Sequence, residues 1–167
     1  MKNLGVAILV ILTMLCVRGG TSLAQTATPQ QTPPDAATTP LFFNLQDLKW
    51  NITCPELGDR AGASVILHVD PKTQATKLLI RVPKDYEVPK HWHMANETHT
   101  IISGTFIMEC DGKREELGPG GFNYTPSKMI HWARTKPDEG ALLFITVDGA
   151  WDIHWVDRSA CEANKGR

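Results

Sequence analysis

The sequence carries no surplus of either charge. Its 167 residues hold 17 Lys and Arg against 18 Asp and Glu, a formal net charge of -1, and the bases are scattered rather than blocked. Binding a nucleic-acid duplex or an anionic membrane surface needs a basic patch, so no nucleic-acid partner is expected. A long apolar run is also missing: residues 4–17 are apolar, short of the roughly 20 residues that cross a hydrocarbon core. No unit repeats at a solenoid or propeller period, and no stretch has convincing amphipathic-helix periodicity. Present instead are 42% hydrophobic residues, five Trp, 13 Gly and 11 Pro. This describes a real core interrupted by many turns, which favours an all-β domain.

The short apolar run follows Lys2 and ends in small and polar residues through Ala24, the layout of a secretory signal peptide cleaved after Ala24. Residues 1–24 are therefore expected to direct export to the periplasm or outside, with no stable membrane insertion after cleavage. Cleavage removes Lys2 and Arg18 and no acid, leaving a mildly acidic chain. Residues 25–40 are Gln, Thr, Ala and Pro with a single charge, too polar to bury enough surface to order themselves. They read as a disordered linker, and residues 41–167 as the β-barrel domain. Cys54, Cys110 and Cys161 survive cleavage. In an oxidising compartment Cys54 and Cys161, near the two ends of the body, are a pair that could staple it, leaving Cys110 over. All three as small buried hydrophobes is the alternative.

Within the body, residues 64–69, 77–82, 100–108 and 141–147 are rich in β-branched and aromatic side chains and have strand length. Asp70-Pro71, Asp111-Gly112, Gly118-Pro119-Gly120-Gly121 and Asp148-Gly149 separate the segments with turn chemistry. Many short strands with Gly and Pro turns indicate a sandwich, jelly roll or barrel. Phe106, Met108, Phe122, Tyr124 and Phe144 are expected to line its interior. His68 and His154, in terminal strands, are expected to be structural.

The chemistry is concentrated in His91-Trp92-His93-Met94-Ala95-Asn96-Glu97-Thr98-His99. Alternate residues of a strand share a face, so His91 and His93 can present two imidazoles to one cavity, and Glu97 and His99 repeat that geometry after a break. His131, after the turn at Pro126, can add a third imidazole from a neighbouring strand. Imidazole with carboxylate suits a divalent transition metal, from manganese through iron, nickel and copper to zinc, better than calcium or magnesium. His99 can serve as an alternative ligand, a proton donor, a substrate contact or a plain barrel histidine. Trp92 and Trp132 each follow a ligand and should face away from it.

These spacings resemble the two motifs of the cupins. The first, His-x-His, three residues, Glu, six residues, Gly, is matched by His91, His93, Glu97 and Gly104. In the second, Gly120, Pro126 and His131 fall in place, with Lys128 where that motif usually has Gly and Thr135 where it often has Asn. The Ile102-Ser103-Gly104-Thr105-Phe106 run is similar to small bacterial cupins related to the cupin half of a zinc-binding anti-sigma factor. The resemblance implies an all-β, RmlC-like jelly-roll barrel, the double-stranded β-helix, holding one divalent metal through His91, His93, Glu97 and His131. Gly104 then serves backbone geometry at a corner. A small-molecule substrate or ligand is implied, with a homodimer as the expected assembly. Three functions share this site. A metal-dependent oxygenase (a cupin dioxygenase) acting on a small enolisable or phenolic compound would use Glu97 and His99 as catalytic proton carriers. A non-redox isomerase or lyase would use the metal as a Lewis acid. A metal or small-ligand binding module would turn nothing over.

Overall fold

The computed structural model describes residues 40–166, so the expected signal peptide and nearly all of the linker lie outside the described residues. Eleven strands follow in chain order: β1 (Asn51–Thr53), β2 (Gly62–Val69), β3 (Thr76–Val82), β4 (Glu87–Trp92), β5 (Glu97–Gly104), β6 (Phe106–Cys110), β7 (Lys113–Leu117), β8 (Phe122–Thr125), β9 (His131–Thr135), β10 (Ala141–Val147) and β11 (His154–Trp155). They form a six-stranded sheet in the order β1-β2-β3-β10-β5-β8 and a five-stranded sheet in the order β11-β4-β9-β6-β7. Every pairing is antiparallel. This is the jelly-roll architecture expected of the sequence. Among the described residues no helix is long and apolar enough to cross a membrane.

Period-two alternation builds the core. In β10 Ala141, Leu143, Ile145 and Val147 are buried while the residues between them are half-buried, as a strand with one inward face requires. The same alternation in β5 turns Glu97, His99 and Ile101 inward, so the strand that packs the core also delivers the polar side chains. Phe106 and Met108 are buried as expected. Phe122 and Tyr124 are not: they are 60% and 53% exposed. The register explains the difference, because β8 pairs Asn123 with His99 and Thr125 with Glu97. Asn123 and Thr125 therefore share the inner face with those residues, and the two aromatics point out. Phe144, in register with the outward Thr100, is only half-buried.

The expected strand over 100–108 is broken at Thr105, where the chain passes from one sheet to the other. Gly104 makes the corner possible. Its φ is +75°, and a Cβ there would lie 1.9 Å from the Gly140 carbonyl oxygen; only a residue without a side chain allows that approach.

Cys54 and Cys161 form a disulfide across a sequence separation of 107, and Cys110 is the free cysteine among the described residues. The bond fixes a one-turn helix, α1 (Ala160–Asn164), that lacks the length for a periodic signal in the sequence. Ser159 and Glu162 close a capping box at its start. At its end the buried Asn164 amide accepts from Glu87 N–H at 2.9 Å and donates to Glu87 O at 2.8 Å. The C-terminal helix is thus latched to β4, the strand that carries His91.

Candidate metal centre

Five side chains foreseen from the sequence, His91, His93, Glu97, His99 and His131, meet inside the barrel and are all buried. His91 comes from β4, His93 from the residue after it, Glu97 and His99 from β5, and His131 from the first position of β9, in register with His91. Ligand atoms of His91, His93 and His131 lie within 4.8 Å of one another. Glu97 Oε2 is 3.1 Å from His93 Nε2, 3.7 Å from His131 Nε2 and 3.4 Å from His99 Nε2.

The backbone decides which ring nitrogen faces this cluster. His91 Nδ1 lies 2.6 Å from Pro89 O, His131 Nδ1 lies 3.0 Å from Met129 O, and His93 Nδ1 contacts Asp152 O. A carbonyl oxygen only accepts, so each Nδ1 carries the proton and donates it, and each Nε2 turns a lone pair inward. Pro89 contributes through its own chemistry: it has no N–H, and the β4–β9 register slips between Val88 and His91. The bulge leaves the Pro89 carbonyl beneath the His91 ring.

Charge in the pocket follows from burial and from these neighbours. Burial pushes His91 well below the usual histidine range, helped by His131 and His93. His131 is lowered to about 4, again chiefly by burial. Burial also acts against protonation of His93, but hydrogen bonding and charge from Glu97, with help from Asp152, leave it above its ordinary value. Burial alone would raise Glu97; the surrounding His99, His93 and His131 bring it down to about 2. At neutral pH the cluster is therefore a carboxylate facing the neutral rings of His91 and His131, with His93 the ring that takes up a proton most readily. His93 Nε2, His131 Nε2 and Glu97 Oε2 are all buried without a geometrically sound hydrogen bond. Such atoms packed together repel unless a proton on His93 or a cation lies between them, and three nitrogens with one carboxylate oxygen match what a first-row divalent transition metal prefers. The residues fit that group.

The surrounding residues carry signals that sequence reasoning did not single out. Asn96 receives Ser127 N–H on its Oδ1 at 2.9 Å, and its own N–H donates to Asp148 Oδ1 at 2.9 Å. Asp152 Oδ1 accepts Met94 N–H at 3.0 Å. These contacts hold the short loop between His93 and Glu97 from two sides. Asn96 could have been read as loop chemistry within the first motif, whereas Asp148 and Asp152 are more than 50 residues away and leave no local trace. His99 is held by Asn123 Oδ1 at 3.3 Å.

Lys128, at the motif position that usually has Gly, adopts φ 63°, the left-handed conformation that Gly would supply, and its N–H donates to His93 O at 2.8 Å. Thr135, where the motif often has Asn, ties β9 to the turn between β3 and β4 by accepting Tyr86 N–H at 2.9 Å and donating to Pro83 O at 2.6 Å. Trp92 faces away from the cluster and stacks on His154 with ring centroids 4.0 Å apart. Trp132 also turns outward, toward the Arg114 guanidinium. The cluster opens into a cavity of about 140 Å³ lined mostly by apolar side chains, Phe106, Met108, Leu143 and Ile145 among them.

Residues 78–148 match the family model described as the cupin domain. The two antiparallel sheets and the paired motifs agree with that match: over this segment the chain has the fold and the motif residues of a cupin domain. The DMSP lyase DddQ from Ruegeria pomeroyi DSS-3 superposes with a TM-score of 0.56 at 21% identity over 65% of this chain and 60% of that one. KdgF from Halomonas sp. gives 0.52 at 19% identity over 65% and 94%. An RmlC-like cupin protein from Ralstonia eutropha JMP134 gives 0.57 at 18% identity over 70% and 72%. The match thus spans about three fifths of the DMSP lyase's own length. These likenesses are of fold. No curated protein matches the chain by sequence.

Proposed function

We propose that the protein is an exported metal-dependent oxygenase acting on a small enolisable or phenolic compound. One observation carries this reading: three imidazoles, each oriented by a main-chain carbonyl, converge at the end of an apolar cavity, and the Glu97 carboxylate lies against two of them, His93 and His131. His91, His93 and His131 would hold a divalent transition metal through Nε2, with Glu97 Oε2 as the fourth protein ligand. The metal, when bound, supplies Lewis acidity toward a ligand oxygen and, if redox-active, a route for electrons between substrate and dioxygen. Apolar walls exclude water and strengthen each charge interaction inside. The Glu97 carboxylate would take a proton from an enol or phenol through the oxygen that the metal does not hold. His99, its Nε2 3.4 Å from Glu97 Oε2, is placed to share that proton and hand it on.

A non-redox lyase or isomerase would use the same ligands, and the cupin fold shared with a DMSP lyase keeps that second reading in view. Elemental analysis of the protein exported through its own leader and purified without chelator or His tag separates the two. Near-stoichiometric iron, manganese, nickel or copper, absent from the His91→Ala/His93→Ala variant and accompanied by oxygen uptake with a small phenol or diketone, is the expected result. Zinc with anaerobic turnover would replace oxygenase by lyase or isomerase, and metal without turnover would leave a binding module. No metal after reconstitution would refute the site itself.

A further inference from the structure

The cavity states what kind of ligand it accepts. Its volume, about 140 Å³, is close to the roughly 150 Å³ at which an apolar protein cavity takes up a benzene ring. No Lys borders it, and Arg81, which does, lays its guanidinium over the Trp50 ring with 4.3 Å to the centroid. Outside the His and Glu cluster the polar side chains in the lining are those of Thr53, Ser64, Arg81, Tyr86 and Trp151, scattered among apolar walls, and with Arg81 turned to Trp50 no cationic head is left for a phosphate ester.

One lining residue carries a buried polar atom with no assigned task. Trp151 borders the cavity, and its indole Nε1 is buried with no hydrogen-bond partner. An indole N–H can only donate, and a buried donor left unpaired is costly. The position of the ring is not casual. Trp151 lies between Asp148, which is bonded to Asn96, and Asp152, which receives both Met94 N–H and the His93 ring N–H. The segment carrying the indole is thereby fixed relative to the imidazole cluster.

We propose, resting on the metal-binding reading above, that the site selects a single-ring ligand of about six to ten non-hydrogen atoms with oxygens at two ends. One end faces His91, His93 and His131, and an acceptor at the other takes the Trp151 N–H. Trp151 is then the residue that distinguishes ligands bearing a distal acceptor from those without one.

The test uses full mature protein loaded with zinc, so that no turnover intervenes, and its Trp151→Phe variant, which keeps an aromatic ring and loses the donor. Each is titrated calorimetrically with catechol, with 3,4-dihydroxybenzaldehyde, which adds a distal acceptor, and with 2,3-dihydroxynaphthalene, which adds a second ring. Wild type should bind the aldehyde about fivefold more tightly than catechol, the worth of one neutral hydrogen bond. Trp151→Phe should lose that advantage while keeping its zinc content and its catechol affinity, and the two-ring compound should bind neither protein. An aldehyde advantage that persists in Trp151→Phe overturns the role of Trp151. Two-ring binding equal to that of catechol, or zinc-loaded protein that binds no catechol, overturns the ligand class while leaving the metal site standing. Failure of wild type to take up zinc would instead remove the metal-binding reading on which this inference rests.

Discussion

Replacing Cys54 and Cys161 together by Ala should destabilise the domain by about 4.8 kcal/mol on the loop-closure relation for cross-links. The bond closes a loop with a sequence separation of 107, and the logarithm of that length dominates the result. Native disulfides in small exported domains cost about 2–5 kcal/mol to remove, so the value lies at the upper end of what is found. For the 127 residues described, at about 2.1 cal/mol/K of unfolding entropy per residue, the melting temperature should fall by about 18 °C. Urea denaturation followed by far-UV circular dichroism, on chains lacking residues 1–24, compares the oxidised protein with the double variant. Thiol titration of the unfolded, unreduced wild type should find Cys110 alone. Three titrating thiols, or a double variant within about 1 kcal/mol of the oxidised protein, would refute the reasoning, because the cross-link would then be either unformed or without effect on the unfolded chain.

Lys128→Gly should stabilise the domain by about 1 kcal/mol, since the left-handed backbone at this position penalises a side chain by slightly more than Gly loses in chain entropy; a lower urea midpoint for the variant would contradict this. Gly104→Ala should cost several kcal/mol or abolish folding, because its Cβ has no room beside Gly140 O, and soluble expression with near-native melting would be the refuting result. Metal affinity should weaken as pH falls from about 7 to 5 with a slope near one proton, up to about tenfold per pH unit. The sign follows from the ring that holds its proton most firmly. His93 is raised above its ordinary value and protonates first, whereas His131 stays neutral to about 4 and Glu97 stays ionised to about 2. Competition titrations with a chelator across that range check it, and a two-proton slope above pH 5 would contradict the order of titration.

The fold was legible wherever side-chain alternation was complete. β5 places Glu97 and His99 by that rule, whereas β10, apolar on both faces, shows its alternation only in the burial of the folded strand, which is why Phe144 was expected inside and is half-buried. Motif spacing picked out His91, His93, Glu97 and His131, and strand alternation after Glu97 added His99. Composition could not set register: Phe122 and Tyr124 have strand-like character, but only the pairing of Asn123 with His99 decides that they point outward. The C-terminal helix was too short to show a period, and its stability comes from Asn164, the capping box and the disulfide rather than from an amphipathic face. Long-range supports such as Asp152 and Asp148 become visible only when the chain returns to the loop between His93 and Glu97.

The three carbonyls beneath His91, His93 and His131 have an evolutionary consequence. Because the acceptors belong to the main chain at Pro89, Met129 and Asp152, no side-chain acceptor has to be kept to tell each ring which nitrogen to offer. The path of the backbone stores that instruction, so a lineage can rewrite the walls of the cavity, and with them its ligand, while inheriting the same metal-facing nitrogens unchanged.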